Sequence, residues 1–175
     1  HNWKKHPVLQ DAFARWQNKL PLYNLRLSNL SAAVIRPQLP LLAKRVTDGR
    51  RNHDFVAEML NLSPKIDVPA SLDGEERAPD SIQFNLIDMT DAQVHRFVGA
   101  CAAVGVKVQV FGLSNDNARA FWNWQFIQDL PELPKTRKLL MRACDVRLPV
   151  RLKKAELIAV ANVILQATNE QSHTK

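Results

Sequence analysis

The chain has 175 residues, of which 46% are hydrophobic and 23% are charged, so it can bury a core and is too apolar for a disordered protein. Its apolar runs are too short or too interrupted to cross a bilayer, which argues against a membrane-spanning protein. The net charge of +7 comes from basic residues spread between acids along the whole chain, which indicates a solvated surface and makes nucleic acid an unlikely partner.

Two helical segments are predicted at the amino end. Apolar residues recur at near-helical spacing from Pro7 to Leu20, and Pro21 ends that helix. A second helix should run to Arg36 with Ser28 or Asn29 as its cap, because a short polar side chain there accepts a hydrogen bond from the first turn. The chain starts without a methionine, a signal-like apolar region or a cleavage site, so we expect a fragment or a processed protein.

A longer helix is predicted after two prolines. Pro37 and Pro40 should kink the helical segment or begin its successor, because each removes a backbone donor. The next helix should continue from Leu41 to about Leu62. Residues 1–62 are therefore predicted to contain a bent helical arm of the kind that links two lobes.

A strand, helix, strand unit is the clearest pattern in the second half. After a Pro- and Gly-containing loop with one short strand at Ile66 to Val68, the segment SIQFNLI alternates like a strand. Thr90 and Gln93 have the spacing of a capping box, and the helix that they begin should end at Gly105. The segment VKVQVF then predicts a second strand, in the same sheet as the first.

The carboxyl-terminal part predicts an aromatic segment and further helices. FWNWQF crowds four large rings into six positions, for which packing between elements is a better explanation than base stacking. A helix at about Lys135 to Ala143, an extended piece at Val146 to Val150 and a last helix at Lys154 to Ala167 should follow. We therefore predict a small α/β domain over residues 63–175.

No catalytic constellation is visible from residue spacing alone. The five histidines are scattered, no pair has a metal-ligand spacing, and neither a phosphate-binding glycine loop nor a serine-nucleophile motif occurs. Cys101 falls on the apolar face of its predicted helix, so Cys101 and Cys144 are interpreted as buried thiols of a cytoplasmic protein. No metal site is expected.

One segment carries a family resemblance. YNLRLSNLSAAVIRPQL resembles a segment of the DegT/DnrJ/StrS type of fold-type I aminotransferases, in which an Asn-x-Arg precedes a polar turn, paired alanines and a Gln-Leu. The bent helix, the strand, helix, strand unit and the closing RLPVRLKKAELIAVANVILQA agree with the family in order and rough spacing. The resemblance covers nearly the whole chain from Tyr23.

The resemblance implies a homodimeric enzyme that moves an amino group from an amino-acid donor to a ketone, such as a keto sugar or nucleotide sugar, with pyridoxal phosphate as electron sink. It also implies that Asn24 reaches across the dimer and donates its amide to the cofactor phosphate. Arg26 would lie nearby and contact an anionic substrate or support the segment. Asn117 and Arg119, in the loop after the second strand, are candidate substrate contacts.

Two departures from the family pattern matter. The Ser-x-x-x-x-Lys segment that carries the Schiff-base lysine does not occur, so no catalytic residue is assigned and the chain alone should be inactive. The loop after the second strand also differs from the Tyr, Pro and His-containing loop of the nucleotide-sugar enzymes. We therefore predict the small domain of a fold-type I enzyme together with the end and helical arm of its large domain.

Two alternatives stay open. The first is a basic, tryptophan-containing module that binds nucleic acid. The second is a non-catalytic subunit that keeps the dimerising surface of an aminotransferase while a partner supplies the lysine. A partner would then be either a second copy of the chain or the missing amino-terminal catalytic part.

Overall fold

The computed structural model describes residues 28–114, 119–124 and 129–172. The helix predicted over residues 7–20 lies outside this part of the chain. Two compact units are present, His1–Pro40 and Leu41–Lys175. Each unit is described by itself.

In the first unit, helix α1 (Asn29–Ile35) begins as the sequence predicts. Ser28 is its cap, and the Ser28 hydroxyl oxygen accepts a hydrogen bond from the backbone N–H of Ser31 at 3.1 Å. The chain then forms a 3₁₀ helix at Arg36–Leu41, with Pro40 inside it. The prolines thus interrupt the α-helical hydrogen bonds where we expected, because neither can donate an N–H.

Helix α2 (Leu42–Leu60) belongs to the second unit and contributes to its core. It packs against the carboxyl-terminal helix (Lys154–Ser172) and against the strand at Ser81–Leu86. Its residues Val56 and Leu60 are fully buried. The prediction that this helix is part of a projecting arm is wrong. Its buried stripe includes Asn52 and His53, so a count of apolar residues underestimates how much of the helix faces the core.

The strand, helix, strand unit begins as predicted. Strand β1 (Ile66–Asp67) pairs antiparallel with strand β2 (Ser81–Leu86), which leads to helix α3 (Asp91–Ala103). Thr90 and Gln93 form the predicted capping box, in which Gln93 N–H donates to the Thr90 hydroxyl oxygen and Thr90 N–H donates to the Gln93 amide oxygen. Gly105 follows the helix with φ of 86°, a conformation that glycine adopts without strain.

The second predicted strand is shorter than the pattern VKVQVF indicates. Only β3 (Gln109–Val110) pairs in the sheet, and the N–H of Val106 instead donates to the carbonyl of Cys101 at the end of α3. Strand β4 (Ala143–Arg147) lies between β2 and β3 and is antiparallel to both, giving the order β1-β2-β4-β3. The two predicted strands therefore share a sheet but do not touch.

The remaining helices are α4 (Pro134–Leu140) and α5 (Lys154–Ser172). Helix α4 is shorter than predicted, because β4 already begins at Ala143, three residues before the predicted extended piece. Helix α5 packs against α2 and α3. Within the described residues, no helix is long and apolar enough to span a membrane.

One face of the sheet carries the core. Ile82, Phe84 and Leu86 of β2 are buried, and Phe84 meets Phe97 of α3 edge to face with 6.4 Å between ring centroids. Burying such a phenylalanine stabilises the fold by about 1.5–3 kcal/mol. The alternate residues of β2 and β4 lie on the opposite face, which is polar and carries Ser81, Gln83, Asn85, Asp145 and Arg147.

Candidate functional site

Three of the four predicted site residues, Asn24, Arg26 and Asn117, lie outside the described residues. Arg119 is described, and it follows the carboxyl end of β3. Its side chain is exposed, and its guanidinium carbon lies 4.3 Å from the centroid of the buried Phe111 ring. The aromatic ring therefore orients Arg119 at the end of the sheet where β3 finishes.

Close backbone contacts fix the turn that carries this stack. Gly112 N–H donates to the carbonyl of Leu140 at 2.8 Å, and Phe111 N–H donates to the carbonyl of Ala143 at 3.0 Å. A Cβ on Gly112 would lie 2.9 Å from the backbone nitrogen of Met141. Only glycine fits this approach, so the turn is held against the junction of α4 and β4.

A second arginine, which the sequence analysis did not single out, also stacks on an aromatic ring. The guanidinium carbon of Arg137 on α4 lies 4.3 Å from the centroid of the Trp122 ring, and Phe121 meets Trp122 edge to face at 5.2 Å. Asn123 donates its amide to the carbonyl of Ser114 at 2.9 Å, which ties this aromatic segment to the turn after β3. The cation thus occupies one face of the Trp122 ring.

A stacked guanidinium keeps the N–H groups in its own plane, so it can donate two parallel hydrogen bonds to a carboxylate or a phosphate. Arg119 is the first residue of the aromatic segment 119–124, and Arg137 stacks on Trp122 of the same segment. Both arginines are exposed. This surface therefore has the chemistry of an anion-binding site. The only sequence signal for Arg137 was the run of basic residues on α4.

The cysteines are packing residues, as we predicted. Cys101 and Cys144 are both fully buried and both are unpaired thiols. Burial raises the pKa of the Cys101 thiol from 9.0 to about 11, and burial also raises the pKa of Cys144. Both thiols stay protonated at neutral pH and neither is an activated nucleophile.

A small cavity between α2 and the 69–80 loop involves a histidine that the sequence pattern did not single out. His53 lines this cavity of about 350 Å³ together with Arg77 and Gln83. The ring Nδ1 of His53 lies 3.0 Å from an oxygen of Asp54, and Arg77 donates to the carbonyl of Ala70 at 3.0 Å. The first contact lies within α2 and the second within the loop. The loop is fastened to the helix by Arg50, whose Nε donates to the carbonyl of Arg77, so this cavity has a structural role. No group of three or more possible metal ligands occurs in the part of the chain that the structure covers.

A family model described as the DegT/DnrJ/EryC1/StrS aminotransferase family matches residues 2–165. No curated protein sequence is significantly similar to the chain. Several solved structures share its fold at low sequence identity. Spr1654 of Streptococcus pneumoniae, assigned as a sugar aminotransferase and solved in a PLP form and a PMP form, superimposes in the PMP form with a TM-score of 0.72 at 12% identity.

That superposition covers 87% of this chain and 38% of Spr1654. PseC of Helicobacter pylori, an aminotransferase involved in the biosynthesis of pseudoaminic acid, gives a TM-score of 0.71 at 10% identity over 85% of this chain and 39% of its own. The synthase of 3-amino-5-hydroxybenzoic acid gives 0.67 at 15% identity over 95% and 47%. The chain thus spans less than half the length of these structures, and it belongs to the DegT/DnrJ/EryC1/StrS aminotransferase family.

Proposed function

We propose that the chain is the carboxyl-terminal part of a pyridoxal-phosphate-dependent aminotransferase that moves an amino group from an amino-acid donor to a keto substrate, such as a keto sugar. The observation that carries this proposal is the family match over residues 2–165. The shared fold supports it, since the matched proteins include PseC and CalS13, a sugar aminotransferase of Micromonospora echinospora. Because those chains are more than twice as long, the activity belongs to a larger enzyme in this proposal.

In that enzyme, residues 63–175 form the small domain together with α2, which packs in its core, and the residues before α2 form the end of the large domain. Asn24 donates its amide to the cofactor phosphate of the opposite subunit of a homodimer. Arg26, Asn117 and Arg119 contact the substrate. The stack of Arg119 on Phe111 supports this role, because a guanidinium that a ring already orients loses less conformational entropy when it binds an anion.

The described residues alone do not make a site for the cofactor. A Schiff-base lysine needs an enclosed position, and among the lysines that the structure describes Lys65 is half-buried and the others are exposed. We therefore assign the lysine to a part of the enzyme that this chain does not supply. The chain by itself is inactive in this proposal.

Reduction with borohydride tests this assignment. The 175-residue chain is incubated with pyridoxal phosphate, reduced, digested and examined by mass spectrometry. Only scattered, substoichiometric labelling of surface lysines is expected, and no absorbance band that shifts when glutamate is added. Stoichiometric labelling of one lysine would show that the chain holds its own catalytic centre.

The proposed contact between Arg119 and the substrate needs a separate test in the complete enzyme. Substitution of Arg119 by methionine removes the charge and keeps a long side chain over Phe111. If Arg119 contacts an anionic substrate, KM for that substrate rises while cofactor binding is unchanged. An unchanged KM for every anionic keto substrate tried would leave Arg119 as a packing residue.

A further inference from the structure

An open cavity of about 690 Å³ lies beside the polar face of the sheet, next to helix α4. Its walls include Asp67 and Asn85 on the paired strands β1 and β2, and Asp88 in the turn after β2. Lys135 and Lys138 on α4 also line it. A cavity of this size suits a small organic ligand.

The charges on these walls are of opposite sign and are not paired with one another. Within residues 28–114, 119–124 and 129–172, no ion pair of up to 4.0 Å joins either lysine to either aspartate. The Asp67 carboxylate accepts a hydrogen bond from the amide of Asn85, at 3.3 Å. Elsewhere in the described residues an exposed lysine does form a close pair, that of Lys44 with Asp48 at 2.6 Å. The cavity therefore separates two acids from two lysines.

Arg142, which also lines the cavity, holds the backbone of the acidic wall in place. Asp88 has φ of 52°, the left-handed region that aspartate tolerates better than most residues. Arg142 supports the adjoining turn, since its Nε donates to the carbonyl of Met89 and its guanidinium lies 2.7 Å from an oxygen of Asp91. Arg142 is thus engaged in fastening the turn, and the charges that remain for a ligand are those of the two aspartates and the two lysines.

We propose that this cavity binds a small zwitterion, with an ammonium group towards Asp67 and Asp88 and an acidic group towards Lys135 and Lys138. A ligand with both charges pairs with the aspartates and with the lysines at once. A ligand with a single charge pairs with one wall only and is repelled by the wall that has the same sign of charge. The inference goes beyond the proposed aminotransferase function and does not depend on it. It requires only the side chains of the second compact unit.

A set of three ligands with six-carbon chains tests the proposal on the 175-residue chain. The zwitterion 6-aminohexanoate is compared by calorimetry and by shifts in melting temperature with hexylamine and hexanoate, which each carry one of its two charges. Each partly exposed ion pair is expected to tighten binding by about two- to fivefold. The zwitterion should therefore bind more tightly than either single-charge ligand, and the ranking should weaken as salt is added.

Matched variants assign the two ends. Lys138→Met removes one charge and keeps the length of the side chain, and Asp88→Asn removes the other while asparagine keeps the left-handed conformation. Each should lower affinity for 6-aminohexanoate by about two- to fivefold. Lys138→Met should not weaken hexylamine binding, and Asp88→Asn should not weaken hexanoate binding, because each change removes only a charge of the same sign as the ligand. Lys107→Met, an exposed lysine outside the cavity, is the control and should change nothing.

Three results would overturn the proposal. The first is no detectable binding of the zwitterion by a chain that melts cooperatively. The second is binding no tighter than that of hexylamine or hexanoate. The third is an equal loss in Lys107→Met, which would mean that only the overall charge matters. Cooperative melting of every variant excludes misfolding as the cause of lost binding. Because no pyridoxal phosphate is present, failure of this test leaves the proposed function standing.

Discussion

Gly49 and Gly99 offer a matched test of how the 69–80 loop is attached to the fold. Both glycines lie inside α-helices, α2 and α3, where alanine is intrinsically favoured by about 1 kcal/mol. A Cβ on Gly99 meets nothing within 4 Å. A Cβ on Gly49 would lie 2.6 Å from the carbonyl oxygen of Pro79, closer than real contacts allow. The same substitution should thus have opposite effects at the two positions.

The size of the effect follows from how firmly that carbonyl is held. The next residue, Asp80, accepts a hydrogen bond from Leu148 N–H at 2.9 Å, and Arg50 donates to the carbonyl of Arg77. Pro79 therefore cannot move without straining both bonds. Overpacking of this kind costs about 1–3 kcal/mol. After the gain in helix propensity, Gly49→Ala should be destabilising by up to about 2 kcal/mol, and Gly99→Ala should stabilise by about 0.5–1 kcal/mol.

Urea unfolding followed by circular dichroism measures both changes in the free energy of unfolding. The expected order of midpoints is Gly99→Ala above the parent chain and Gly49→Ala below it, with similar slopes. If Gly49→Ala is as stable as Gly99→Ala, the 69–80 loop does not pack against α2 in the way that the structure shows. The reasoning from the close approach of Gly49 and Pro79 would then be refuted.

Asn24→Ala in the complete enzyme should weaken pyridoxal-phosphate binding by about 1.5–3 kcal/mol, because it removes a hydrogen bond to a charged group, and Asn24→Asp should weaken it more. Titration of the apoenzyme checks both, and unchanged affinity would make Asn24 a helix-entry residue. The thiols of Cys101 and Cys144 should react with a disulfide reagent at pH 8 only after unfolding, because burial raises the pKa of each; fast labelling of the native chain would contradict this. Since the folded pKa of Cys101 is raised, its contribution to stability is present below pH 9.0 and should be lost as the pH rises towards about 11. Arg142→Ala should lower the free energy of unfolding by about 1–3 kcal/mol, because the Arg142 side chain is only 16% exposed and holds the turn before α3. Arg147→Ala, which breaks an exposed pair, is the control and should cost at most about 1 kcal/mol.

Local signals in the sequence predicted the local structure well. Ser28 caps α1, Thr90 and Gln93 form the capping box of α3, and Gly105 follows that helix, because each of these roles depends on a few neighbouring residues. The alternation in SIQFNLI likewise predicted the strand that the structure has at Ser81–Leu86. These features need no knowledge of distant parts of the chain.

Features that depend on tertiary contacts were harder to predict. The pattern VKVQVF alternates over six residues, yet only Gln109 and Val110 pair, because pairing depends on the path of β4 beside them. Helix α2 looked like part of an arm because its buried stripe includes Asn52 and His53. The amide of Asn52 donates to the carbonyl of Val150 at 3.4 Å, a partner 98 residues away that no local pattern reveals.

The candidate site was predicted only in part. The loop after β3 was identified from its position, and Arg119 is indeed exposed there. Its stacking on Phe111 and the similar stack of Arg137 on Trp122 could not be predicted, because each depends on how an irregular segment of the chain folds back and not on a regular residue spacing. The roles of Asn24, Arg26 and Asn117 stay predictions from the family resemblance.

The order of strands in the sheet has a consequence for how the second unit folds. Strand β4 lies between β2 and β3, and it pairs Ile82 with Val146 and Val110 with Cys144. Neither earlier strand can join the other until residues 143–147 are in place, although the helix between them can form alone. Closing the long loop between β2 and β4 costs entropy before any strand pairing repays it. We therefore expect α3 to form early in refolding, and the sheet to form in a single later step that depends on β4.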